Sequence, residues 1–151
     1  MKKGFTLIEI LVVISIIGIL VTFGTVSFTS SQKQARDTLR KSDLRQYELS
    51  LKEYASKNTG LYPVRTGSAV NASTTLCTDL GLTNCTADPK DGQSKGASGI
   101  YRYYYQSDTK GTLFTLRGLL ENQDYLWVIC STGEVGTKAV TSTFSGGACP
   151  P

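Results

Sequence analysis

From Ile10 to Gln32 the chain carries no charged side chain, and the apolar run that begins at Phe5 contains a single acid, Glu9. Lys2, Lys3 and Gly4 precede it. Phe5 to Phe28 is 24 residues, roughly 36 Å of helix at about 1.5 Å per residue, enough to cross a hydrocarbon core of about 30 Å. A buried core helix of this length is unusual in so small a chain. A cleaved secretory signal has a shorter apolar run and a small-residue exit of the Ala-x-Ala kind, which is missing here. A plain membrane anchor accounts for the length and leaves Glu9 without a use. A carboxylate in such a segment is costly unless it meets a partner or a proton, so Glu9 is the first candidate functional residue.

Gly4-Phe5-Thr6-Leu7-Ile8-Glu9 followed by an aliphatic run resembles the class III leader of type IV pilins and type II secretion pseudopilins, over about the first 25 residues. The resemblance implies that a prepilin peptidase cuts between Gly4 and Phe5 on the cytoplasmic side and N-methylates Phe5. Gly4 suits the cut, since a residue without Cβ lets a protease approach the backbone closely. Glu9 lies about one helical turn after Phe5, and the resemblance gives it the role of compensating the amine of a neighbouring subunit during assembly. It further implies a cytoplasmic-membrane precursor with its N-terminus inside and its globular part outside, then an extracellular or periplasmic filament. The implied partners are copies of itself and related minor pilins, the peptidase, a membrane assembly platform with its ATPase, and lipid before assembly.

Composition bounds the remainder. Without the apolar segment about 120 residues are left, enough for one compact domain. Removing Lys2 and Lys3 with the leader leaves 14 basic against 12 acidic side chains, too mild a bias to imply nucleic acid. The chain has no histidine, which excludes a His-based triad and argues against a catalytic zinc site. Serines and threonines have no such partner and the acids are scattered, so no catalytic constellation, cofactor site or metal site is expected. Glu121, Asp124 and Glu134 do not make a compact oxygen-ligand motif, so the calcium loop of major pseudopilins is not carried over.

Cys77, Cys85, Cys130 and Cys149 are spaced unlike zinc ribbons or redox pairs and read as two disulfides in an oxidising compartment. Three connectivities are open; Cys77–Cys85 with Cys130–Cys149 is the expected one, and the second pair resembles the C-terminal disulfide loop of many pilins. The basic residues Lys33, Arg36, Arg40, Lys41 and Arg45 outnumber Lys2, Lys3 and the initial amine, which by the positive-inside rule argues for the opposite orientation. The leader and the cysteines outweigh that count.

Leu44, Tyr47, Leu51, Tyr54 and Ala55 form an apolar stripe at helical spacing, and Asp37–Lys41, Glu48–Lys52 and Glu53–Lys57 are acid-to-base pairs four apart. Asn58-Thr59-Gly60 and Pro63 are stop signals. A nearly continuous helix from about residue 5 to 57 is expected, with Ala35, Leu39 and Leu49 off the stripe. Many type IV pilins carry a proline near the position of Val26; here Gly18 and Gly24 are the weak points instead. A polar stretch from Pro63 to Gly99 reads as a surface loop without core strands, and its triplets Asn71-Ala72-Ser73 and Asn84-Cys85-Thr86 match the glycosylation pattern by no more than a short motif. Ile100–Gln106, Thr112–Arg117 and Tyr125–Ser131 read as strands, with Tyr101, Tyr103 and Tyr105 on one face and Leu126, Trp127 and Ile129 as core candidates.

The expected fold is therefore α+β: a long N-terminal helix packed on a small antiparallel sheet with disulfide-stapled loops. The expected division is a leader 1–4, a transmembrane or filament-core helix 5–28, an amphipathic helix 29–58, and an extracytoplasmic loop and sheet 59–151. The expected function is that of a non-enzymatic, pilus-like filament subunit. Surface pilus subunits commonly carry disulfides, so a secretion pseudopilin comes second, and a membrane-anchored binding domain that does not polymerise comes third.

Overall fold

A computed structural model describes residues 4–150, apart from the side chains of 23–27. The leader residues 1–3 expected from the sequence lie outside the described residues. Helix α1 (Leu7–Lys57) is 51 residues long, about 76 Å at the usual rise. It begins two residues later than expected because Thr6 is its N-cap. The backbone runs through Gly18 and Gly24 without a break. Asn58, Thr59 and Gly60 end it: Asn58 Nδ2 donates to the Tyr54 carbonyl at 2.8 Å, and the Gly60 N–H donates to the Ala55 carbonyl at 2.8 Å from a φ of 83°.

The sheet is a five-stranded antiparallel meander in the order β1 (Val70–Asn71), β2 (Tyr103–Ser107), β3 (Phe114–Leu119), β4 (Tyr125–Cys130) and β5 (Val135–Ala139). The second half of α1 lies across β3 and β4. Leu44, Tyr47 and Leu51 of the stripe, with Ala55, are buried there, while Tyr54 is half-buried. They meet Tyr103, Tyr105, Phe114, Leu116 and Ile129 from the sheet. Each such large apolar side chain contributes about 1.5–3 kcal/mol of burial, enough to fix the strand register through the period-two alternation. Gly118 lets the helix approach: a Cβ there would stand 3.2 Å from Leu44 and 3.1 Å from Tyr103.

Several expectations need correction. The first strand begins at Tyr103 rather than Ile100, and the second at Phe114 rather than Thr112, because the turn Asp108–Thr112 is held by its own side chain: Asp108 accepts from the backbone N–H groups of Thr112 and Leu113. β1 and β5 were not expected at all. The stretch from Pro63 to Gly99 is not merely a surface loop. It supplies β1, a π-helical turn (Ala72–Leu76) and a short helical turn, α2 (Cys77–Asp79), and its Ala72 and Leu76 are fully buried in the core. The expected Asp37–Lys41 pair does not form: Asp37 turns inward to Arg40, and Lys41 lies 4.5 Å over the Trp127 ring. Glu48–Lys52 and Glu53–Lys57 do form, each at 2.6 Å. Ile129 is buried, whereas Trp127 and Leu126 are half-buried, since β5 at the sheet edge carries little to cover them.

Among the described residues, the large apolar side chains of the N-terminal half of α1 are left exposed. Phe5 is 86% exposed, and the large apolar side chains from Leu7 to Val21 are all at least 48% exposed. Among the described residues no helix is long and apolar enough to cross a membrane. The expected transmembrane helix over 5–28 is not supported by them, and the side chains of its residues 23–27 lie outside the described residues.

Candidate functional site

Gly4 and Phe5 stand clear of the rest of the molecule, with nothing within 4 Å of the position a Gly4 Cβ would take. Thr6 and Glu9 then close a capping box. The Glu9 backbone N–H donates to Thr6 Oγ1 at 3.3 Å, and Glu9 Oε2 accepts from the Thr6 backbone N–H at 2.8 Å and from the Thr6 hydroxyl at 2.7 Å. Thr-x-x-Glu ahead of an apolar run is the sequence signal of this motif, and it marks Thr6 as a residue the reading of Glu9 alone passed over. Both bonds fall on one oxygen. The other, Oε1, has no hydrogen bond among the described residues. A negative charge here also opposes the positive end of the helix dipole.

Higher on α1 lies a buried charge cluster that the sequence did not reveal. Arg40 is fully buried. Its Nε donates to Asp88 Oδ2 at 2.7 Å, its Nη1 to Asp37 Oδ1 at 2.8 Å, and its Nη2 reaches Glu121 Oε1 at 2.9 Å. Arg36 grips Glu121 with two bonds of 2.7 Å, and Lys90 reaches it at 3.0 Å. Asp37 in turn accepts the Glu121 and Asn122 backbone N–H groups. Helix, loop and β3–β4 turn are thereby locked to one another. Hydrogen bonds from Arg36 hold the Glu121 carboxyl down at about 2 against the opposing effect of burial, with Lys90 and Arg40 adding to it. Burial alone would lower the Arg40 guanidinium, but its contacts with Asp88, Glu121 and Asp37 raise it above the ordinary value.

Cys77 is joined to Cys85 and Cys130 to Cys149. The first bridge closes the loop beside α2. The second ties the C-terminal segment to β4, where it crosses the sheet face opposite α1. There the Arg117 guanidinium lies 4.0 Å from the Phe144 ring, and Gly147 sits so close that a Cβ would be 2.5 Å from the Leu113 carbonyl oxygen. Tyr101, Tyr103 and Tyr105 are all buried. Glu121 and Asp124 are taken by cations, and the Lys95 ammonium sits between the Leu120 and Gln123 carbonyls, 2.8 Å from each, and Asp124 at 3.0 Å.

Residues 1–25 match the family model described as the prokaryotic N-terminal methylation motif. The chain thus carries the class III prepilin leader of type IV pilins and pseudopilins, which implies a precursor processed by prepilin peptidase. No curated protein and no solved structure matches the chain.

Proposed function

We propose that this chain is a structural, non-catalytic subunit of a type IV pilus-like helical filament, cut between Gly4 and Phe5, N-methylated on Phe5, and drawn from the cytoplasmic membrane into the fibre. The observation that carries this reading is the methylation leader placed at the head of a helix whose apolar side chains are left bare by its own domain. Apolar surface on that scale needs a partner. Lipid serves before assembly, and a bundle of like helices serves afterwards, so the hydrophobic cost of leaving the membrane is offset. Glu9 Oε1 meets the Phe5 amine of a neighbour and sets register, the role best attested for charges in such places.

The positive-inside conflict weakens in this light. Arg36 and Arg40 are spent inside the fold on Glu121, Asp37 and Asp88, and Arg45 is paired with Glu48. They are charges of a folded domain rather than of a free juxtamembrane loop. The leader is common to pili and secretion pseudopili; two disulfides favour the pilus. The test is processing followed by assembly in cells that supply the peptidase and the machine. Replacing Gly4 with a bulky residue leaves the heavier, unprocessed form. Glu9→Leu is processed yet gives few fibres, and full-length fibres at wild-type yield from Glu9→Leu would remove the register role.

A further inference from the structure

Five acids are buried in the described structure: Asp37, Asp43, Glu48, Asp88 and Glu121. Four of them have a Lys or Arg within ion-pair distance, and Asp43 has none among the described residues. Its one hydrogen bond comes from the Tyr103 hydroxyl, 2.7 Å from Oδ2. Asp43 also lines a cavity of about 220 Å³ between α1 and the Cys77–Cys85 loop, together with Gln46, Ser50, Leu82, Asn84 and Thr86. Amide and hydroxyl groups around an uncompensated carboxylate make a receptor for an ammonium group. Burial raises the Asp43 carboxyl, and the bond from Tyr103 and the attraction of Arg40, which makes no ion pair with it, offset this only in part, with Asp88 opposing them.

The same chain carries a cation in the complementary condition. Lys110 is exposed at the tip of the β2–β3 hairpin, and its ammonium makes no ion pair, hydrogen bond or ring contact among the described residues. Lys41 and Arg117 also lack acids, but each is placed over an aromatic ring. Lys33 is exposed and unpaired among the described residues as well, but it lies on α1 itself beside the apolar half, whereas Lys110 stands at a hairpin tip. The hairpin stands at the far end of α1, where the Tyr62 N–H donates to the Gly111 carbonyl at 2.8 Å. Asp43 lies roughly 21 Å back along the helix from Lys57. We propose that the Asp43 groove of one copy receives the Lys110 ammonium of the next. Between copies lying parallel, two points displaced along the axis give a head-to-tail contact, which repeats without closing and so extends a fibre. This rests on the filament reading above and adds the contact that would staple its globular layer.

Zero-length carbodiimide coupling of fibres mixed from light and heavy-isotope subunits tests it directly. The expected product is an amide between Asp43 and Lys110 of different copies, seen in fibres and missing from detergent-dispersed monomer. Coupling of Asp43 to another lysine, or to none, overturns the proposal. Asp43→Asn keeps an acceptor for Tyr103, so the monomer is expected to melt no earlier than wild type while fibre yield falls about tenfold. Lys110→Ala should fall equally, and the double variant no further; undiminished fibres from either single variant overturn the contact and leave the filament reading standing. Wild-type chain that is processed and never forms fibres overturns both.

Discussion

Arg40 has no exposed side-chain surface, and three carboxylates surround its guanidinium at 2.7–2.9 Å. Taking the cation away leaves Asp37, Asp88 and Glu121 crowded with only Arg36 and Lys90 to answer them. Arg40→Met is therefore expected to cost about 3–5 kcal/mol, the usual result of stranding buried charge. Arg36 is 27% exposed and shares Glu121 with two other cations, so Arg36→Met should cost about 1 kcal/mol. A urea titration of the full chain in micelles, followed by the fluorescence of Trp127, the one tryptophan, separates the two values; equal costs would show that the cluster is not centred on Arg40. Thr115 supplies the opposite case. Its side chain is fully buried in β3 and its hydroxyl has no hydrogen-bond partner in the described structure. Thr115→Val keeps the shape and the strand preference while removing an unpaired polar group, and should raise the unfolding free energy read by the same titration by about 1 kcal/mol.

Among the elements, the C-terminal strap is the one fastened by chemistry rather than by pairing. Residues 140–150 form no strand, and the Cys130–Cys149 bridge, the Arg117–Phe144 stack and the close seat of Gly147 hold them to the sheet. Cys130→Ser with Cys149→Ser opens a loop of about the length for which chain entropy is worth about 3 kcal/mol. Limited proteolysis should then cut between 140 and 148 well before it cuts α1 or β2–β4. Gly147→Ala, at a φ of 74° and against the Leu113 carbonyl, should loosen the same segment with both bridges intact. This strap also marks where sequence ceased to be legible. The long helix and its stop could be read because the period of Leu44, Tyr47 and Leu51 and the Asn-Thr-Gly end are local signals. β5 was hidden because Val135-Gly136-Thr137-Lys138-Ala139 covers no core and so shows no apolar alternation. Ala72 and Leu76 were hidden by the threonines and serine between them. The Arg40 cluster joins residues up to 85 apart, and the four-residue spacing of Asp37 and Lys41 pointed to a pair that tertiary packing overrides. Thr6 was legible as half of a capping box, and reading Glu9 only for another subunit's amine concealed it.

At the scale of the whole molecule, charge pairing divides the work with the apolar core, and that division sets how the fold responds to acid. Glu121 is held at about 2 when folded, against an ordinary 4.5. Its folded value is depressed, so its contribution is complete above about 4.5 and is lost as the pH falls toward 2, on the order of 3 kcal/mol in all. The groups facing it are the cations Arg36 and Arg40 from α1 and Lys90 from the loop; Asp37 beside it shares Arg40. Protonating Glu121 leaves these cations repelling one another and releases the β3–β4 turn from the helix. Glu48, lowered by Lys52 and Arg45 despite its burial, acts in the same direction. Asp43 acts in the other: its carboxyl is raised on folding, so acid removes a penalty there and softens the upper part of the decline. The thermal midpoint of the detergent-dispersed monomer should hold level from pH 7 to about 5 and then fall steeply between about 4.5 and 2. Glu121→Gln should flatten most of that fall while lowering the plateau. A variant that keeps the full acid-induced drop would mean that the turn and the helix are held together by the apolar contacts alone.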